Sequence, residues 1–271
     1  MSEVISTAFL MGGLGNQMFQ AAHALAQGKK NNFPVRFKCE SWTPMQGRQT
    51  PVYKDNIFKN LDFNWEDTPL NRIVEGPWEY SEIVPDWSKP TEFYGYFQSS
   101  RNFLGYDNYI REIFSPSEDL IKEMYEKYPQ LNQDNTLSIH IRLGDYTQNP
   151  HIHPSISVEY INRALNEIGE YSHVFIFSED KQWINDNISL VNSTVVNDED
   201  WKEMWMISLC KNNINSNSTF SWWGSFLNTN PHKKVIAPSM WFGPSGPQNY
   251  KDIYESYWTV LDVVYDNGLL K

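Results

Sequence analysis

The stretch VISTAFLMGGLGNQMFQAAHALAQGKKNNFPVRF, residues 4–37, decides the fold. Residues 4–11 are apolar and compatible with a β-strand, and a glycine-rich turn interrupts them. Apolar residues then recur at helical spacing over 18–25, and we expect this helix to end at Gly28 and the asparagines that follow. Residues 34–37 are typical of a second strand. A strand, a helix and a strand in this order form a βαβ unit, which indicates a parallel sheet.

The remainder of the chain divides into an irregular stretch and a second α/β region. Residues 40–110 are rich in proline and aromatic residues. From residue 134 onward apolar runs alternate with helical patterns, among them a helix at 158–168 and a strand at 174–177. We therefore expect an N-terminal α/β domain at 1–130, a C-terminal Rossmann-like domain at 131–245, and a segment at 246–271 that packs back on the first domain. Residues 250–261 of this segment form either a helix or a strand, and we favour the helix.

Composition and charge narrow the class of function. Of the 271 residues, 40% are hydrophobic and 20% are charged, which is typical of a folded globular protein. The net charge of −11 has the wrong sign for a nucleic-acid binder, and no basic stripe offsets it. An anionic substrate must therefore be held locally, by backbone amides, a helix N-terminus or a single arginine.

The sequence also predicts where the protein works. The first residues, MSEVISTAFLMGG, have no basic region and only a short apolar run, so we expect no secretion signal. No apolar stretch approaches the roughly 18 residues that a membrane-spanning helix needs. We therefore expect a cytoplasmic protein, either of a bacterium or of a cell infected by a virus. The oligomeric state does not follow from the sequence.

Two loops at the carboxyl ends of predicted strands carry candidate ligand contacts. Gly12–Gln17 lets the backbone approach a ligand at a helix N-terminus, or is a plain tight turn between strand and helix. Farther along, strand alternation places His140 and Arg142 on one face. A guanidinium at this strand end suits paired hydrogen bonds to a diphosphate, and Asp145 suits a general base. The alternative is that Arg142 and Asp145 form a structural ion pair.

Two further loops have both a binding and a capping interpretation. Asp180 could accept hydrogen bonds from a purine, or cap the helix that begins near Lys181. Asn217–Gly224 begins with small hydroxyl residues, which either cradle a phosphate or cap the helix that follows.

Two patterns have the appearance of metal sites, and for both we favour another interpretation. Asp198–Asp200 directly precedes an amphipathic helix, whose N-terminal dipole favours acidic residues. His151 and His153 lack the cysteine or carboxylate companions of a metal site. We therefore expect no metal ion.

Four motifs, taken together and in this order, resemble the α-1,2-fucosyltransferases of glycosyltransferase family eleven. They are GGLGNQMFQ at 12–20, HIRLGDY at 140–146, FSED at 177–180 and STFSWWG at 218–224. The resemblance implies a GT-B architecture, with two facing Rossmann-like domains whose sheets are parallel; the first lies on the acceptor side and the second binds the donor.

The same resemblance implies a reaction. The enzyme would transfer L-fucose from GDP-β-L-fucose to the 2-hydroxyl of a galactose-terminated oligosaccharide, with inversion, forming an α-1,2 linkage without a cofactor or metal. The alternatives are a GDP-fucose-dependent transferase with a peptide or other glycan acceptor, and a non-catalytic glycan-binding protein.

The resemblance further implies a set of site residues. Arg142 would hold the β-phosphate and Asn16 would reach the phosphate or the fucose, while His140 and Asp180 would fix the guanosine. Where many relatives have two consecutive arginines, this chain has Leu143 in the second place, so the role of a second arginine is absent. The implied donor-binding residues are Gly13, Asn16, His140, Arg142, Asp180, Ser218, Thr219, Phe220 and Ser221, and the predicted catalytic residues are Arg142 and Asp145.

Overall fold

A computed structural model of the protein describes residues 6–40, 48–65 and 70–271, and the chain divides into two units. The first unit runs to Ser115 and includes Asn249–Ile253. The second unit comprises Pro116–Gln248 and Tyr254–Lys271. Both units contain a parallel β-sheet, as the βα rhythm of the sequence predicts.

The first unit is built on a three-stranded parallel sheet. Its strands and helices, in chain order, are β1 (Ser6–Ala8), α1 (Leu14–Asn31), α2 (Thr50–Tyr53), β2 (Asn71–Val74), β3 (Thr91–Tyr94) and α3 (Asp107–Phe114). The strand order is β1-β3-β2, and every pairing is parallel. The first strand was predicted at 4–11, but β1 spans only Ser6–Ala8. Val4 and Ile5 lie outside the described residues. The predicted strand at 34–37 is reduced to one parallel bridge between Ser6 and Val35.

Helix α1 ends at the predicted asparagines and not at Gly28. It continues to Asn31, and Asn32 then turns the chain with a positive φ of 56°. A Cβ at Gly28 would lie 2.1 Å from Cγ2 of Val35, so this glycine allows the chain after the helix to return closely across it. Close approach, rather than helix termination, is the reason for a glycine here.

The second unit contains a six-stranded parallel sheet and a small three-stranded sheet. The large sheet has the order β10-β9-β8-β4-β6-β7, and the small one the order β11-β12-β5. The elements are α4 (Glu118–Lys127), β4 (Leu137–His140), β5 (Ser155–Ile156), α5 (Val158–Ile168), β6 (Val174–Phe177), α6 (Lys181–Asn187), β7 (Ser193–Val195), α7 (Asp200–Leu209), β8 (Asn212–Ile214), α8 (Thr219–Leu227), β9 (Val235–Pro238), β10 (Thr259–Leu261), β11 (Tyr265–Asp266) and β12 (Leu269–Leu270).

The boundary between the units lies at residue 115 rather than at 130. Helix α4 belongs to the second unit because its end is tied there: Lys127 Nζ lies 2.7 Å from a carboxylate oxygen of Asp198. Glu123 on the same helix accepts from Lys202 at 2.6 Å. From the sequence alone, an amphipathic helix next to a predicted linker could belong to either domain. Its contacts in the structure assign α4 to the second unit.

The C-terminal segment also differs from the prediction. Only Asn249–Ile253 joins the first unit, where Arg101 forms an ion pair of 2.9 Å with Asp252. The favoured helix at 250–261 is wrong and the strand alternative holds for its last residues, because this stretch forms a short 3₁₀ turn and then β10, which pairs in parallel with β9. Tyr254–Lys271 therefore completes the sheets of the second unit.

Candidate functional site

The large sheet of the second unit has a topological switch point between β4 and β8. From β4 the chain adds β6 and β7 on one side, and it then crosses to add β8, β9 and β10 on the other. In open α/β sheets, ligands bind beyond the carboxyl ends of the strands at such a point. His140 ends β4, and Ser216 follows the end of β8. The topology of the sheet therefore indicates a ligand site at the loops that follow β4 and β8.

His140 is a neutral, buried side chain at the switch point. Its Nδ1 lies 2.8 Å from Oγ of Ser216, and its ring contacts Phe220 at a centroid distance of 5.1 Å. Burial, assisted by the positive charges of Arg142 and Lys181, lowers the pKa of His140 to about 3. The ring is therefore an uncharged hydrogen-bonding group near neutral pH, which suits contact with a ligand ring and does not suit transfer of protons.

Arg142 lies two residues beyond His140 and is about one third exposed. Its Nη2 donates to Oδ1 of Asp145 at 2.6 Å, and its Nε lies 3.7 Å from Oε1 of Glu179. Burial opposes the charge, but the carboxylates of Glu179 and Asp145 outweigh it, so that the pKa of Arg142 is raised. The guanidinium is thus a permanent cation at the rim of the sheet.

The ion-pair interpretation of Asp145 is realised in this structure. Its carboxylate accepts directly from Arg142, and Arg142 is its only polar partner among the described residues. A general base must accept a proton from the substrate, and Oδ1 of Asp145 becomes available for this only when it leaves the arginine. The catalytic assignment of Asp145 stays a prediction.

Leu143 stands where the family resemblance leads one to expect a second arginine, and it is buried. Its side chain is 4% exposed and belongs to the core cluster of the second unit, together with Ile139 and Ile141. A charged side chain at this position would be buried among aliphatic groups. Leu143 is therefore a core residue in this chain, and its side chain has no polar group to offer a ligand.

Asp180 caps helix α6. Its Oδ1 accepts from the backbone N–H of Trp183 at 2.9 Å, which is the geometry of an N-cap residue. The side chain is exposed. The capping interpretation accounts for this residue, and the contact with guanosine stays a prediction.

The hydroxyl-rich start of α8 is likewise capped by its own residues. Ser218 Oγ accepts from the backbone N–H of Phe220 at 3.3 Å, and Ser221 Oγ donates to the carbonyl oxygen of Ser218 at 3.1 Å. Thr219 and Phe220 are half-buried, and the first turn contains no acidic residue. A helix N-terminus with no acidic residue in its first turn retains its attraction for an anion. Capping and phosphate binding are therefore compatible here.

In the first unit, Gly13 and Asn16 lie at the N-terminus of α1. Gly13 is the N-cap residue, and a Cβ built on it would meet no described atom within 4 Å. Oδ1 of Asn16 accepts from Nε2 of Gln98 at 2.9 Å. Gln17 fixes the loop, because its Nε2 donates to the carbonyl oxygen of Gly12 at 2.9 Å. Gln98 is a partner that sequence reasoning missed, since 82 positions separate it from Asn16.

Residues of both metal-like patterns have other roles or partners in the structure. Asp198 is bound by Lys127 and by the Tyr128 hydroxyl at 2.6 Å, and Asp200 lies in the first turn of α7. His151 bonds to the Tyr265 hydroxyl at 2.7 Å. Within residues 6–40, 48–65 and 70–271, no three His, Cys, Asp or Glu side chains gather as metal ligands would. In the same residues, every helix is too short or too polar to cross a bilayer.

The comparison with protein families identifies the class. The model of Glycosyl transferase family 11 matches residues 5–262, nearly the whole chain. The chain therefore belongs to glycosyl transferase family 11, and the resemblance inferred from its motifs is confirmed.

The chain is similar to three glycosyltransferases of known name. It is 34% identical to the O-antigen biosynthesis glycosyltransferase WbnK of Escherichia coli, over 55% of this chain and 54% of that protein, so this match spans about half of the relative. It is 26% identical to an α-1,2-colitosyltransferase of Escherichia coli, over 88% of this chain and 92% of that protein. It is 26% identical to a galactoside 2-α-L-fucosyltransferase of Caenorhabditis elegans, over 80% and 67% of the two chains.

Solved structures confirm the fold class. The crystal structure of the fucosyltransferase NodZ from Bradyrhizobium matches with a TM-score of 0.54 at 11% identity, over 92% of this chain and 97% of that one. NodZ α-1,6-fucosyltransferase co-crystallised with GDP matches with a TM-score of 0.51 at 12% identity, over 84% and 93%. The predicted α/β fold of the GT-B type is therefore confirmed.

Proposed function

We propose that this glycosyltransferase moves L-fucose from GDP-β-L-fucose to the 2-hydroxyl of a terminal galactoside, with inversion and without a metal ion. The observation that carries the proposal is that neutral His140 and cationic Arg142 lie two residues apart at the switch point of a family 11 chain, where His140 bonds to Ser216 and Arg142 to Asp145. Two of the relatives are named for α-1,2 or 2-α transfer, one of them to a galactoside, which supports the linkage and the acceptor.

The chemistry follows from the charges at the carboxyl ends of the strands. As GDP leaves, negative charge grows on the diphosphate while the sugar gains oxocarbenium character. The guanidinium of Arg142 and the backbone amides at the start of α8 are fixed donors that can stabilise this charge. In a protein of net charge −11, such a local cation is what allows an anionic donor to bind.

The proton of the acceptor hydroxyl needs a destination. Asp145 is the carboxylate nearest to Arg142, and we assign it the role of general base after a phosphate has taken its place on the arginine. Asp145→Asn is expected to lower kcat while leaving the fold intact. A kcat close to that of the wild type would remove Asp145 from the mechanism.

A second donor has support of its own. The relative that is matched over 92% of its length is named a colitosyltransferase, so the donor assay must include colitose as well as fucose on GDP. The proposals of a fucose donor and of a colitose donor share the same nucleotide site and differ only in the sugar. Transfer of colitose but not fucose would change the donor sugar of the proposal and leave its nucleotide.

The test starts with binding and ends with transfer. GDP and GDP-fucose, but not UDP or ADP, are expected to raise the melting temperature with EDTA present, because a ligand that binds only the folded state stabilises it. Arg142→Ala is expected to lower the transfer rate to lactose by roughly 10²–10³, which is typical for loss of one charge-stabilising donor. Arg163→Ala, on α5, is the matched control.

Each outcome has a defined meaning. An unchanged rate in Arg142→Ala would contradict the proposed site, and loss of activity in EDTA would contradict metal independence. Transfer to a peptide in preference to lactose would replace the proposed acceptor. Glycan binding without any response to nucleotides would favour a non-catalytic lectin-like role.

A further inference from the structure

Glu179 is an exposed residue, yet its carboxylate contacts the loop that contains Arg142. It follows β6, the strand beside β4, and its Oε1 accepts from the backbone N–H of Leu143 at 3.0 Å. The same oxygen lies 3.7 Å from Nε of Arg142. One carboxylate therefore contacts both the arginine and the backbone of the turn that follows it.

The backbone beside this contact leaves room for the carboxylate. Gly144 has a positive φ of 28°, and a Cβ built on it would lie 2.5 Å from Oε1 of Glu179 and 3.2 Å from its Cγ. Any other residue at position 144 would push the carboxylate away and would adopt a strained φ. The absence of a side chain at Gly144 therefore leaves the space that the Glu179 carboxylate occupies.

The two carboxylates on Arg142 are not equivalent. Glu179 approaches the Nε edge and is also anchored by the Leu143 N–H, whereas Asp145 holds Nη2 and has Arg142 as its only side-chain hydrogen-bond and ion-pair partner among the described residues. A diphosphate that binds the guanidinium in a paired geometry competes for its Nη groups. Asp145 is the partner that such a ligand displaces, and Glu179 is the partner that can remain.

We propose that Glu179 is a positioning residue, which holds the Nε edge of Arg142 and the Leu143–Gly144 turn so that the Nη groups face the donor diphosphate. Asp145 occupies those groups until the donor arrives. The proposal rests on the proposed function, in which Arg142 binds the diphosphate of the nucleotide sugar. It assigns opposite roles to the two acidic residues that contact the same arginine.

The test compares two single substitutions by titrating GDP into the purified full chain. Glu179→Gln keeps the shape of the side chain and a carbonyl oxygen for the Leu143 N–H, but it removes the charge that orients Arg142. We expect it to weaken GDP binding about tenfold and to lower kcat/KM by at least as much, which is the scale of one charge-assisted contact. Asp145→Asn is expected to leave GDP binding unchanged or to tighten it.

A double-mutant cycle separates positioning from a general structural role. Because Glu179 acts through the arginine, Glu179→Gln is expected to have no further effect on GDP affinity when Arg142 is already alanine. Glu167→Gln, an exposed residue of α5, controls for the loss of one negative charge. Gly144→Ala is expected to reproduce the weaker binding of Glu179→Gln, because its Cβ displaces the carboxylate.

Three results would overturn the proposal. They are GDP binding and kcat/KM that stay as in the wild type in Glu179→Gln, an Asp145→Asn variant that binds GDP as weakly as Glu179→Gln, and an equal effect of Glu179→Gln with and without Arg142. If Arg142→Ala itself bound GDP like the wild type, the proposed function would fail first, and this outcome is distinct from the other three.

Discussion

Acidification is expected to destabilise the first unit through His23. This residue lies on α1, is 1% exposed, and stacks on the ring of Phe97 with centroids 4.1 Å apart. A second ring, that of Phe93, meets it edge-on at 4.5 Å. Burial lowers the pKa of His23 from 6.5 to about 3, so the folded protein holds the neutral ring at any mildly acidic pH.

The sign and size of the effect follow from linkage. Below pH 6.5 the unfolded chain binds a proton at His23 that the folded chain does not bind, so the stabilisation present above this pH is lost as the pH falls towards 3. Between about pH 7.5 and about pH 5.5, the loss from this one group is roughly 1.4 kcal/mol, the free energy of a tenfold change in the unfolded partition function.

The measurement is urea unfolding at both pH values, followed by tryptophan fluorescence and circular dichroism. His23→Phe keeps an aromatic ring between Phe93 and Phe97 and removes the titration. The difference in unfolding free energy between the two pH values is expected to be about 1.4 kcal/mol smaller in this variant than in the wild type. Equal pH dependence in the two proteins would refute the reasoning, whatever the absolute stability of the variant.

Two other substitutions test packing. Gly28→Ala places a methyl group where Cγ2 of Val35 lies at 2.1 Å, and we expect a loss of about 1–3 kcal/mol in thermal unfolding, as overpacking typically costs; an unchanged melting temperature would contradict the close approach. Leu143→Arg restores the second arginine of the resemblance but buries a charge in the core cluster, so we expect a loss of about 3 kcal/mol or more and no gain in GDP affinity. Tighter GDP binding by a stable Leu143→Arg variant would show that this position can face the donor.

The periodicity of apolar residues correctly predicted those helices and strands whose buried faces are apolar. Helix α5 matches the predicted range of 158–168, and β6 matches 174–177. The helix has an apolar face at a spacing of 3.6 residues, and the strand is an uninterrupted apolar run with both faces covered. In such segments the local periodicity and the tertiary environment agree.

Strand β8 is not evident from the sequence, because its buried side chains include polar ones. Asn213 is fully buried, yet its Nδ2 donates to Ser138 Oγ at 2.7 Å and to the carbonyl oxygen of Ile207 at 2.9 Å. Asparagine is disfavoured in strands, and hydrogen bonds such as the one to Ser138, 75 positions away, make it acceptable there. Its sequence alone therefore gives no strand signal.

The sequence by itself determined the family, the parallel α/β class and the positions of the candidate site at strand ends, because motifs and periodicity are local properties of the chain. Only the tertiary structure decided which partners the motif residues have within the chain and which further residues contact them. The pairing of Arg142 with Asp145 and the capping by Asp180 emerge from geometry. Glu179 lies 36 positions from the backbone group that it binds, and contacts over such distances arise only when neighbouring strands bring their ends together.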